Sequence, residues 1–132
     1  MSDTTPPDIE EYVSTAPFEA TIELLLTAIT GAGLTLFSRI DHAAGARDAG
    51  LMMPPATVLI YGHARGGTPI MLASPHAALD LPLRVLVRER QDGQTVIAFH
   101  PVGPMLRRAG VPGELADRLE PAQRILVAAV TI

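Results

Sequence analysis

The sequence predicts an α+β fold: one domain of two layers, a mostly antiparallel sheet with helices packed on one face. Three observations predict it. Apolar residues recur at helical spacing after Phe18 and again toward the C-terminus. An Asp92-Gly93 pair separates two apolar runs of strand length, which is the signal of a hairpin. The order of elements (strand, helix, strand, short helix, strand, helix, hairpin, helices) places that hairpin and an early αβ unit in one sheet, which favours antiparallel pairing.

Residues 1–8 read as a loose tail, since Thr-Pro-Pro starts neither a sheet nor a helix interior, and residues 9–132 as the domain. Residues 9–14 suit a short edge strand. Thr15 is expected to cap a helix with Pro17 in its first turn. Phe18, Ile22, Leu25, Leu26 and Ile29 form its apolar stripe, and Gly31 and Gly33 close it. Residues 34–40 have strand length but alternate imperfectly, Leu34, Leu36 and Ile40 against Thr35, Phe37 and Arg39; this strand is expected beside the first. Residues 43–49 are small and helix-compatible up to Gly50, and Met53-Pro54-Pro55 then forces an extended connection. Residues 57–61 are β-branched and apolar, as in a central strand.

A flexible loop, Gly62 to Gly67, should follow, with Thr68 as N-cap and Pro69 at the first position of a helix that Pro75 disrupts. A further turn through His76 leads to Asp80. Residues 83–90 and 95–100 form the hairpin strands about an Asp-Gly two-residue turn. Leu79, Leu81, Leu83 and Val85 are read as core-facing, and Arg84, Arg88 and Arg90 as a solvated or partner-facing strand face. A helix from Val102 ends at Gly110, and Pro121 splits or kinks the last helical stretch.

With 132 residues the chain can bury a sizeable core without metals or disulfides. It has no cysteine, which excludes thiolate metal sites and cysteine nucleophiles. A net charge of −4 with scattered basic residues gives no electrostatic case for nucleic acid. The acidic start lacks the basic and apolar pattern of a secretory signal, and no apolar run reaches the roughly 20 residues of a membrane span; a cytoplasmic location and no membrane partner are expected. A mean hydropathy of +0.28 is high for a small domain, and a homodimer is expected to cover the surplus apolar surface.

Three features could carry chemistry. The glycine-rich stretch Gly62-His63-Ala64-Arg65-Gly66-Gly67-Thr68-Pro69 leads into a helix, where backbone N–H groups, the Arg65 guanidinium and close approach at Gly66 and Gly67 would suit an anion. It lacks the Gly-Lys-Ser/Thr ending of a nucleotide loop and the glycine spacing of a dinucleotide turn, and a purely structural turn is the plainer reading. Asp41 and His42 follow a strand and could act as acid and base, or Asp41 could simply cap the next helix. Of the four histidines, His42, His63 and His100 come at strand ends and would form a metal or haem site if those ends converged. None of the four pairs at the i, i+4 spacing of a helical metal site.

Ile40-Asp41-His42 with Ala43-Ala44, Gly50 and the Pro54-to-Thr57 approach, Gly67-Thr68-Pro69 with Met71, and Ala78-Leu79-Asp80-Leu81-Pro82-Leu83 occur in this order. In these blocks the chain resembles the domain-of-unknown-function 302 family, DUF302, of small bacterial and archaeal proteins, over nearly all its length. The resemblance implies a compact two-layer α+β fold and dimers, and no established activity. The chain departs from the family's pattern at Gly62-His63-Ala64-Arg65 and at His100-Pro101-Val102-Gly103, both of which place histidine at a strand end.

Three functions are weighed on these residues. A dimeric protein binding a small molecule, an anion above all, would use Asp41, His42, His63, Arg65, Gly66, Gly67 and Thr68. A metal or haem protein would use His42, His63 and His100. An enzyme would use Asp41 and His42, although no nucleophile or metal-ligand pattern accompanies them. No particular cofactor is indicated.

Overall fold

The computed structural model describes residues 4–132; the first three residues of the expected N-terminal tail lie outside the described ones. The chain forms β1 (Glu10–Val13), α1 (Phe18–Gly31), β2 (Thr35–Asp41), α2 (His42–Asp48), β3 (Ala56–Gly62) and α3 (Ala64–Ala73). A 3-10 helix (Pro75–Leu79), β4 (Leu83–Glu89), β5 (Thr95–Phe99), α4 (Val102–Arg108), α5 (Gly113–Ala116) and α6 (Glu120–Thr131) complete it. All pairings in the sheet are antiparallel and its order is β1-β5-β4-β3-β2. The predicted α+β class holds.

One core explains the layering. Leu59, Tyr61, Leu83, Val85, Val87, Ile97 and Phe99 alternate along three strands onto one face, where Ile22, Leu25 and Ile29 of α1 and Leu126 and Val130 of α6 meet them. At about 25 cal/mol per Å², each fully buried aliphatic side chain contributes roughly 1.5–3 kcal/mol. Burial pushes the Tyr61 phenol well above its ordinary pKa, and among the described residues its hydroxyl has no hydrogen-bond partner. The opposite sheet face carries Val58, Ile60 and Leu86, which are half-buried and outside the core cluster.

Four local expectations are corrected. β2 lies at the far edge of the sheet beside β3, not beside β1, because β1 pairs with β5 across 89 residues of sequence in the Glu10–Phe99 match. Sequence proximity does not decide strand neighbours. Thr15 does not cap α1: Pro17 takes that position, and the Thr15 hydroxyl instead donates to the Val130 carbonyl at 3.2 Å. The hairpin loop has three residues, Gln91-Asp92-Gly93, closed by Arg90 N to Gln94 O at 2.8 Å and Gly93 N to Arg90 O at 3.0 Å. Gly93 stands at φ 85°, the left-handed position such a loop requires.

Helix α3 also departs from expectation. It starts at Ala64, not after Thr68, so that Gly66, Gly67, Thr68 and Pro69 lie inside it. Gly66 N and Gly67 N both donate to the His63 carbonyl at 3.0 Å, which builds the first turn. Packing of Ile70 in the core outweighs the poor helix propensity of two glycines and a proline. Pro75 interrupts α3, Gly110 follows α4 at φ 90°, and the C-terminal stretch divides into α5 and α6, as expected. Among the described residues no helix is long and apolar enough to cross a membrane.

Candidate functional site

The site begins with an irregularity in β2. Leu36 pairs with Tyr61 and Ser38 with Ile60, so Phe37 is an extra residue without a partner in β3. Strict alternation would send Phe37 to the sheet face opposite Leu36. Phe37 stands at this bulge, where strict alternation no longer fixes its side, and its ring lies beside Gly62: a Cβ added at Gly62 would meet Phe37 Cε2 at 3.6 Å. Phe37 keeps 53% of its surface exposed, an unusual cost in a chain with only three phenylalanines and two tyrosines.

Behind Phe37 lies a cleft of about 240 Å³. Leu34 and Phe37 wall it on the β2 side, Gly67 and Met71 on α3, Leu81 to Leu83 on the approach to β4, and Leu119 and Ala122 at the start of α6. Gly67 gives the cleft its depth, since a Cβ there would reach 3.7 Å from Met71 Cε and 3.9 Å from Leu81 Cδ1. The polar side chains of the lining are His63 and Thr68, both exposed. Neither makes a hydrogen bond or ion pair among the described residues.

Of the residues expected from sequence, His63, Gly67 and Thr68 therefore meet here, and the others do not. Gly66 faces Leu119, whose Cδ2 would stand 3.0 Å from an added Cβ. Arg65 is exposed, has no partner among the described residues and is not part of the lining. Asp41 and His42 stand at the other end of the sheet. β2 runs opposite to β3, so Asp41 pairs with Thr57 at the start of β3 while His63 follows its end, about 20 Å away along the strand. The Asp41 carboxylate is occupied, accepting from Ala44 N at 2.9 Å as the N-cap of α2.

The three histidines do not converge either. His63 and His100 follow β3 and β5, which run in the same direction, but β4 lies between them and His42 is at the opposite end. His100 lines a separate polar cleft with His76, Asp80 and Arg108, and its Nδ1 is 3.1 Å from the Asp8 carbonyl oxygen. Among the described residues no three histidine or acidic side chains are grouped to hold a metal ion. Phe37, Met71, Leu81 and Leu119 were not expected in the site. The signal for Phe37 was present, because the broken alternation of residues 34–40 is the trace of the bulge.

The cleft and sheet belong to a recognised family, whose description is "Domain of unknown function DUF302" and whose match spans residues 10–131. The chain is a member of DUF302. A crystal structure of an uncharacterised conserved DUF302 protein from Bacillus stearothermophilus superposes with a TM-score of 0.81, covering 95% of this chain and 97% of that one at 14% identity. The DUF302 fold is thus shared where little sequence is. A stretch of 74 residues, 56% of this DUF302 chain, is also 39% identical to a protein of Brucella suis named fluoride-specific ion channel FluC 1. The same stretch matches the FluC 1 protein of Brucella abortus at 39% identity. It spans only 29% and 27% of those two proteins.

Proposed function

We propose that this DUF302 protein binds a small, mainly apolar molecule in the cleft between β2 and α3. The observation that carries the reading is the exposed Phe37 ring, the extra residue of β2, in the lining of an apolar cleft. A lining of this kind with few polar groups is the usual make-up of a small-molecule site. The volume agrees, since a cavity of about 150 Å³ already accommodates benzene.

The match to part of longer chains in Brucella supports a binding module that operates joined to other sequence. The ion in the relatives' name is not carried over to this cleft. A bare halide would exchange its hydration for apolar walls and lose free energy.

The test is thermal unfolding of the whole chain with benzyl alcohol and indole, neutral probes of suitable size. A ligand at ten times its dissociation constant stabilises by about 1.4 kcal/mol. The midpoint is expected to rise, and Gly67→Leu, which fills the cleft, should remove the rise. Because Gly67 is a helix-interior glycine, the variant itself should be no less stable. No shift with either probe at millimolar concentration would overturn the reading.

A further inference from the structure

Resting on that reading, we infer that the natural occupant of the cleft is a small aromatic carboxylic acid, its ring held against Phe37 and its carboxylate at His63 and Thr68. The ring follows from Phe37. An aliphatic side chain in the bulge would close an apolar cleft equally well, whereas a planar ring offers a partner for offset or edge-on stacking. Met71 supplies a flexible thioether from α3, a side chain that also makes favourable contacts with aromatic edges.

The carboxylate follows from the distribution of charge. The chain has 14 acidic residues, yet none of the described ones lines this cleft. A cationic ligand would find no counter-charge. His63 and Thr68 can each donate a hydrogen bond, one from a ring N–H and one from a hydroxyl, and both are left without partners among the described residues. An acceptor group carrying negative charge uses both donors, and hydrogen bonds to a charged acceptor are roughly twice as strong as those to a neutral one. The acid then enters ring first with its head at the mouth, where water still reaches it.

The experiment is calorimetric titration of the whole chain with benzoate, benzyl alcohol, benzylamine and cyclohexanecarboxylate. Benzoate is expected to bind about tenfold or more tightly than benzyl alcohol, with benzylamine weakest. His63→Ala should bring benzoate down to the level of benzyl alcohol. Phe37→Ala should weaken benzoate roughly two- to tenfold and weaken cyclohexanecarboxylate, which loses apolar contact but no stacking, by less. Both side chains are exposed, so neither variant threatens the core. Equal binding of benzoate and benzyl alcohol, or of benzoate and cyclohexanecarboxylate, overturns the aromatic-acid assignment. If either probe is still displaced by Gly67→Leu, the cleft remains a binding site and only its ligand class is wrong. If no compound binds, the site itself falls.

Discussion

Glu10 shows how one residue ties β1 to the last helix. Its carboxylate accepts from the Tyr12 hydroxyl and from Arg124 Nη2 at 2.8 Å, while the Arg124 guanidinium lies 5.9 Å from the Tyr12 ring centroid and 5.6 Å from that of Phe99. The Tyr12 hydrogen bond, followed by Arg124, holds the Glu10 carboxyl below its ordinary value against the opposing effect of burial. A lowered carboxyl pKa stabilises the fold above the unfolded-state value, about 4.3. That contribution disappears as pH falls through the lowered folded-state value. Since Glu10 and Arg124 are 34% and 40% exposed, solvent screening keeps it below about 1 kcal/mol. Glu10→Gln should therefore be slightly less stable than the parent at pH 7, and the gap should close below pH 4 in urea titrations. A gap that stays constant with pH would mean that the charge of Glu10 is not what matters.

At the scale of elements, the buried side chain of Gln123 joins two helices that share no sequence neighbourhood. It accepts from Val102 N at 3.0 Å and donates to the His100 carbonyl at 2.9 Å, so α6 supplies the cap that α4 lacks in its own sequence. Gln123→Leu keeps the volume and removes both bonds, which should cost about 1–3 kcal/mol in denaturant unfolding with an unchanged slope. An effect below a few tenths would show that water replaces the amide. Such long-range contacts mark the limit of what residue order reveals. Helix α1, the break at Pro75 and the split at Pro121 were readable because spacing, proline and glycine act locally. The place of β2, the start of α3 and the cap from Gln123 were not, because distant packing decides them. In the site, His63, Gly67 and Thr68 were readable as one segment. Asp41 was readable as the cap of α2, but not its distance from His63, because strand direction decides which end of the sheet it reaches, and Leu119 arrives from the turn between α5 and α6.

For the whole molecule, we propose that the sheet face carrying Val58, Ile60 and Leu86 is covered by a second copy of the chain. Ile40, Val58 and Leu86 lie side by side across β2, β3 and β4, with Ile60 next on that face of β3 and Arg84 exposed beside them. Monomers seldom leave so much apolar surface contiguous and wet. Light scattering after size exclusion should give about twice the 14.0 kDa chain mass, and Leu86→Asp, which introduces a charge into this face, should halve it. A concentration-independent single-chain mass for the parent would refute the pairing.

The extra residue in β2 also bears on how the protein stays dispersed. β2 is an edge strand, and Leu36, Phe37 and Ile40 are all exposed along it. A straight edge of this composition would be a template on which a neighbour's backbone could add strand after strand. By breaking the regular run of N–H and C=O groups at Phe37, the bulge spoils that template. Shortening β2 by that one residue would therefore free an adhesive border at the same time as it empties the mouth of the cleft.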